Sequence, residues 1–72
     1  MADTRLDARE IDGEPFGDIM DALDDLDAGE TLLLINSFEP APLYQVLERR
    51  GFTHEAEQAG EDEWRVRIRH AD

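Results

Sequence analysis

The sequence predicts a single α/β two-layer sandwich of element order βαβαββ, four strands forming one sheet and two helices covering one of its faces. Three observations predict it. Two segments place apolar residues at helical spacing, an apolar run from Thr31 to Asn36 separates them, and two alternating segments close the chain on either side of a turn. Right-handed crossovers bring both helices to the same side of the sheet and leave the other face open.

From Thr4 to Arg9, Leu6 and Ala8 alternate with Arg5, Asp7 and Arg9, the pattern of a half-buried strand. After the Asp12-Gly13 turn, Phe16, Ile19, Met20, Leu23 and Leu26 recur at helical spacing and Pro15 suits a first turn, predicting a helix from about Glu14 to Asp27. Gly29 is placed to end it, although Asp25 and Asp27 lie unfavourably near the negative end of the helix dipole. Thr31–Asn36 is apolar on both faces and so reads as a central strand. Pro40 and Pro42 fit only the opening turn of a second helix, with apolar positions Leu43, Val46 and Leu47 and an end at Arg49-Arg50-Gly51.

The last two strands, Phe52 to Gln58 and Trp64 to Arg69, form a hairpin around Gly60 to Glu63. Its register follows from charge. If Ala56 opposes Val66 and His54 opposes Ile68 on the helix side, then Glu55 faces Arg67 and Glu57 faces Arg65 on the open side.

The chain is one domain of 72 residues, with an ordered core expected from about residue 4 to 70. At this size only about 60% of the unfolded surface is buried. The 19 acidic residues face seven basic ones, all arginine, for a net charge of -12. Such repulsion destabilises a compact chain in dilute buffer and is screened at molar salt, where the Debye length is about 3 Å. An acidic surface can also serve a basic partner, but the acids spread over both helices and the loops rather than gather in one tail, so the composition reads first as salt adaptation. With no cysteine, disulfides, zinc-thiolate sites and thiol nucleophiles are excluded. The longest apolar run, Thr31 to Ile35, is far short of the roughly 20 residues of a membrane span. A cytoplasmic protein is expected.

Leu6-Asp7-Ala8-Arg9, followed by a turn and Glu14-Pro15, resembles the opening of the TusA-like and SirA-like sulfur carriers, and Ala28-Gly29-Glu30-Thr31-Leu32 resembles their entry to the second strand. Asn36 to Tyr44 and Glu63-Trp64-Arg65-Val66 look closer still to a relative of that fold, the domain of unknown function family numbered 2249. The resemblance implies a mixed sheet of order 1-2-4-3 with only the last strand antiparallel. It also suggests a setting in sulfur or redox metabolism. In the carriers a thiolate at the start of the first helix becomes a persulfide. Here Asp12 or Gly13 stands at that place, so the resemblance conveys fold and not reaction.

Two sites are expected. Arg9, Asn36 and Ser37 meet at the carboxyl edge of the parallel strands, where ligands bind in open α/β folds, and free helix amides there would suit a small anion. The alternative makes Asn36 and Ser37 caps of the second helix and pairs Arg9 with Glu10 or Asp12. Glu10, Asp12, Glu14 and Glu39 crowd the same rim, which would repel an anion and suit a cation better. On the open face, Arg5, Arg65, Arg67 and Arg69 surround Leu33 and Ile35, expected as an exposed apolar patch for a protein partner or a weak homodimer. Nucleic acid is disfavoured by net charge and by the absence of a stacking aromatic on that face. His54 and His70 are too few and too irregularly spaced to define a metal site. No catalytic residue and no cofactor is expected, and the chain reads first as a non-enzymatic interaction domain.

Overall fold

In the computed structural model, which describes residues 3–11, 13 and 15–71, strand β1 (Asp3–Asp7) leads through a 3-10 turn (Ala8–Glu10) to helix α1 (Phe16–Asp24). Strand β2 (Thr31–Asn36), helix α2 (Ala41–Arg49), strand β3 (Phe52–Gly60) and strand β4 (Glu63–His70) follow. The sheet order is β1-β2-β4-β3. β1 pairs parallel with β2, and β4 runs antiparallel to both β2 and β3. The result is the four-stranded mixed sheet that the sequence predicts.

β2 lies inside the sheet because its side chains are apolar in both directions. Leu32 and Leu34 meet Val66 and Ile68 of β4 on the helix side, where Leu23, Leu26 and Leu47 close over them. Phe52, at the start of β3, and Ala8 extend this core to its edges. Burying each large aliphatic side chain contributes about 1.5–3 kcal/mol, so these few residues supply most of the stabilisation available to a chain of this length.

The hairpin register is the expected one, with His54 opposite Ile68, Glu55 opposite Arg67, Ala56 opposite Val66 and Glu57 opposite Arg65. The ion pairs run diagonally, Arg69 to Glu55 at 3.3 Å and Arg67 to Glu57 at 3.7 Å. Long side chains reach the diagonal neighbour across a twisted pair as readily as the direct one. The turn is tighter than expected, since β3 continues to Gly60 and only Glu61 and Asp62 connect it to β4.

Boundaries in the first half of the chain also differ from the sequence expectation. β1 ends at Asp7 because its carboxylate accepts the backbone N–H of Arg9 at 3.0 Å, opening a 3-10 turn. α1 is shorter at both ends, Phe16 to Asp24. Asp25 caps it one residue into an acidic run that opposes the dipole. Gly29, at φ +92, serves a separate turn in which Glu30 N–H donates to the Asp27 carbonyl and Asp27 N–H to the Glu30 carboxylate. Leu26 therefore lies outside the helix yet remains in the core. α2 begins and ends as its sequence indicates, between Pro40 and the positive φ of Gly51.

The open face corrects a second expectation. Ile35 is only 2% exposed, and Leu33 is half-buried. Ile35 lies between Asp7 of β1 and Arg65 of β4 in the register. A chain of ion pairs spans the same strands: Arg9 binds Asp7 at 2.9 Å and Glu63 at 3.6 Å, and Glu63 binds Arg65 at 2.6 Å. Arginine stems cover apolar surface while their charged heads stay wet, so this network replaces the exposed patch that the alternation alone implied.

Candidate functional site

The parallel pairing of β1 with β2 brings the starts of α1 and α2 to one edge of the sheet, and the two helices leave an apolar cleft of about 450 Å³ between them. α1 contributes Pro15, Phe16 and Ile19. The end of β2 contributes Asn36, the loop after it Phe38 and Pro40, and α2 contributes Pro42, Leu43 and Val46. Two of these are the large hydrophobic side chains left exposed among the described residues, Phe16 at 44% and Phe38 at 61%. A volume within the roughly 300–1,000 Å³ of small-molecule sites, lined by apolar groups with one polar group, is the usual form of a binding pocket.

That polar group is Asn36. It is 7% exposed, and its Oδ1 accepts the backbone N–H of Ser37 at 2.9 Å. Its amide nitrogen donates no hydrogen bond among the described residues, which leaves an amide donor in the wall of the cleft. An amide N–H that faces the cleft suits a ligand carbonyl or carboxylate.

The three residues expected at this edge separate. Asn36 lines the cleft, and Ser37 stands exposed beside it. Arg9 is committed elsewhere: its Nε and Nη2 donate to the two Asp7 oxygens at 3.0 and 2.9 Å. These bonds hold the Asp7 carboxyl below its usual range and raise the Arg9 guanidinium. The helix amides invoked for an anion are also occupied at α2. Ala41 N–H donates to the Glu39 carbonyl at 2.9 Å, Pro42 has no N–H, and Leu43 N–H donates to the Pro40 carbonyl at 3.0 Å. Asn36 caps its own loop rather than α2, whose start has no side-chain cap. Asp12 and Glu14 lie outside the described residues.

The aromatic content of the cleft is what sequence reasoning missed. Phe16 was expected on the buried stripe of α1, but it is the first residue of that helix and lies beyond the part packed on the sheet. Phe38 belongs to no periodic element. An aromatic isolated in Ser37-Phe38-Glu39-Pro40 between a strand and a proline-started helix is the signal that could have found it.

The two histidines take separate roles. His70 donates from Nε2 to the Leu26 carbonyl at 2.6 Å and its ring lies 4.7 Å from that of Phe52. His54 stacks on Tyr44 with ring centroids 4.2 Å apart, and its buried Nδ1 has no hydrogen-bond partner among the described residues. Tyr44 in turn donates its hydroxyl to Glu39 at 3.4 Å, and burial, reinforced by Glu39, pushes the phenol up. Among the described residues no group of three or more candidate ligands could hold a metal ion, and no helix is long and apolar enough to cross a membrane.

Fold and site together define a small α+β sandwich domain with an interhelical apolar cleft at the carboxyl edge of its parallel strands. Residues 5–70 match the model of the family described as "Uncharacterized conserved protein (DUF2249)", and the chain belongs to that family. No match was found among curated proteins. None was found among solved structures.

Proposed function

We propose that the domain is a non-enzymatic binding module whose site is the cleft between α1 and α2. The observation that supports this reading most is the pair of exposed aromatic side chains, Phe16 and Phe38, at a 450 Å³ apolar cleft that also holds the Asn36 amide. Leaving such residues open to water loses stabilisation that an occupant would restore, about 25 cal/mol for each Å² of apolar area covered. The open sheet face has less to offer a partner, because Ile35 is already covered and the arginines Arg65, Arg67 and Arg69 are each paired with a glutamate. The lysine-free acidic surface supports a working environment of high salt, in which apolar binding is strengthened and charge repulsion is screened.

The test is an amide-shift titration in molar salt with N-phenyl-1-naphthylamine, a neutral apolar probe that fluoresces on leaving water. Saturating shifts at Ile19, Asn36, Phe38 and Val46, lost in Phe38→Ser, support the reading. An absence of shifts, or shifts centred on Leu33 and Arg67, would move the site back to the sheet face or remove it.

A further inference from the structure

We infer that the natural occupant of the cleft is a cationic peptide segment, an apolar anchor residue flanked by lysine or arginine; this rests on the cleft being the binding site. The first ground is charge. The stretch from Glu10 to Glu48 builds α1, the loop that lines the cleft and all of α2 except its last residue, Arg49, and it contains more than half of the chain's 19 acidic residues and no arginine. Asp18 follows Phe16 in the first turn of α1, and Glu39 lies between Phe38 and Pro40; both are exposed beside the lining residues. Each would pair with a basic side chain that flanks an inserted anchor.

The second ground is the mixture of groups in the wall. A purely lipidic ligand makes no use of an amide donor in the wall, whereas a peptide presents a backbone carbonyl next to each side chain. Asn36 Nδ2 suits that carbonyl, because Oδ1 is already taken by Ser37 N–H and only the donor side of the amide is left. A negatively charged apolar ligand, such as a free fatty acid, would satisfy Asn36 but meet Asp18 and Glu39. The third ground is that two of the nearest cations are already engaged: Arg9 is held by Asp7 and Glu63, and Arg50 by Asp24 at 3.1 Å, while Arg49 is the last residue of α2, away from the start of that helix.

The experiment compares three synthetic peptides of about 12 residues in roughly 1 M salt, where the screening length of about 3 Å leaves contact pairs but removes long-range attraction. One carries a central leucine pair flanked by arginines, the second replaces those arginines with glutamates, and the third keeps the arginines and replaces the leucines with serines. The expected result is saturating shifts at Asn36, Phe38 and Ile19 with the first peptide. Its affinity should exceed that of the second peptide by about fivefold, the effect of two contact pairs, and that of the third by about tenfold or more, the effect of the lost anchor. Asn36→Ala should weaken it about tenfold, the usual size of one hydrogen bond. Asp18→Asn with Glu39→Gln should erase the preference over the second peptide. Because Asn36 is buried, Phe38→Ser serves as the variant that must lose binding while keeping its fold.

Equal affinity for the first two peptides, preference for the acidic one, or shifts scattered over α1 and the hairpin overturn the inference. Self-association that competes with the peptide at the cleft overturns it as well. If the neutral naphthylamine probe still binds at the cleft, only the peptide assignment falls. If neither probe nor peptide binds, the cleft itself is lost as the site.

Discussion

Arg9 closes on Asp7 through two side-chain hydrogen bonds, 3.0 and 2.9 Å, while its backbone N–H donates to the same carboxylate at 3.0 Å. One carboxylate thus ends β1, opens the 3-10 turn and anchors the ion-pair chain through Glu63 to Arg65.

The pair gives stability a definite pH dependence. The Asp7 carboxyl titrates below its ordinary 3.8 in the folded protein, chiefly through the Arg9 side-chain bond. Its contribution is therefore fully present above that value and is lost as pH falls through the lower folded value. Asp7→Asn should be less stable than the parent near pH 6, and the gap should narrow by about pH 3. Urea midpoints for both proteins at the two pH values, in molar salt, provide the check. A gap that stays constant with pH would falsify the assignment.

Salt should govern folding itself. At a net charge of -12 the compact state is opposed by self-repulsion that molar salt screens. Far-UV circular dichroism should show loss of structure on dilution from molar to millimolar salt. A spectrum unchanged across that range contradicts salt adaptation.

The thin core makes single truncations decisive. Leu34 is fully buried at the centre of the sheet, and Leu34→Ala should cost about 2–5 kcal/mol. A core of this size supplies only about 3–5 kcal/mol of net stability. The variant should be largely unfolded, whereas Phe38→Ala, at a 61% exposed residue, should unfold within about 0.5 kcal/mol of the parent. Chemical denaturation in molar salt distinguishes them.

Two glycines should respond in opposite directions. Gly51 ends α2 at φ +84, so Gly51→Ala should destabilise by about 1 kcal/mol through backbone strain alone, since an added Cβ meets no atom within 4 Å. Gly17 is an ordinary helical residue with equally open surroundings, and Gly17→Ala should stabilise by about 0.5–1 kcal/mol. For a domain of this length each kcal/mol moves the melting temperature by about 4–8 °C, which a thermal scan resolves.

Periodicity and charge in the sequence were enough to determine the element order, the central place of β2, the hairpin register and the two helix ends marked by Pro40 and Gly51, because these depend on near neighbours and on alternation. The absence of cysteine likewise excludes thiol chemistry at the start of α1. Tertiary structure alone decided the rest. Ile35 had the parity of an exposed residue and became buried because Asp7, Arg9, Glu63 and Arg65, far apart in the chain, link across it. Phe16 had the parity of a core residue and became exposed because α1 begins there, beyond the sheet. Local pattern says which way a side chain points, and only the packing of distant segments says whether anything lies there to meet it.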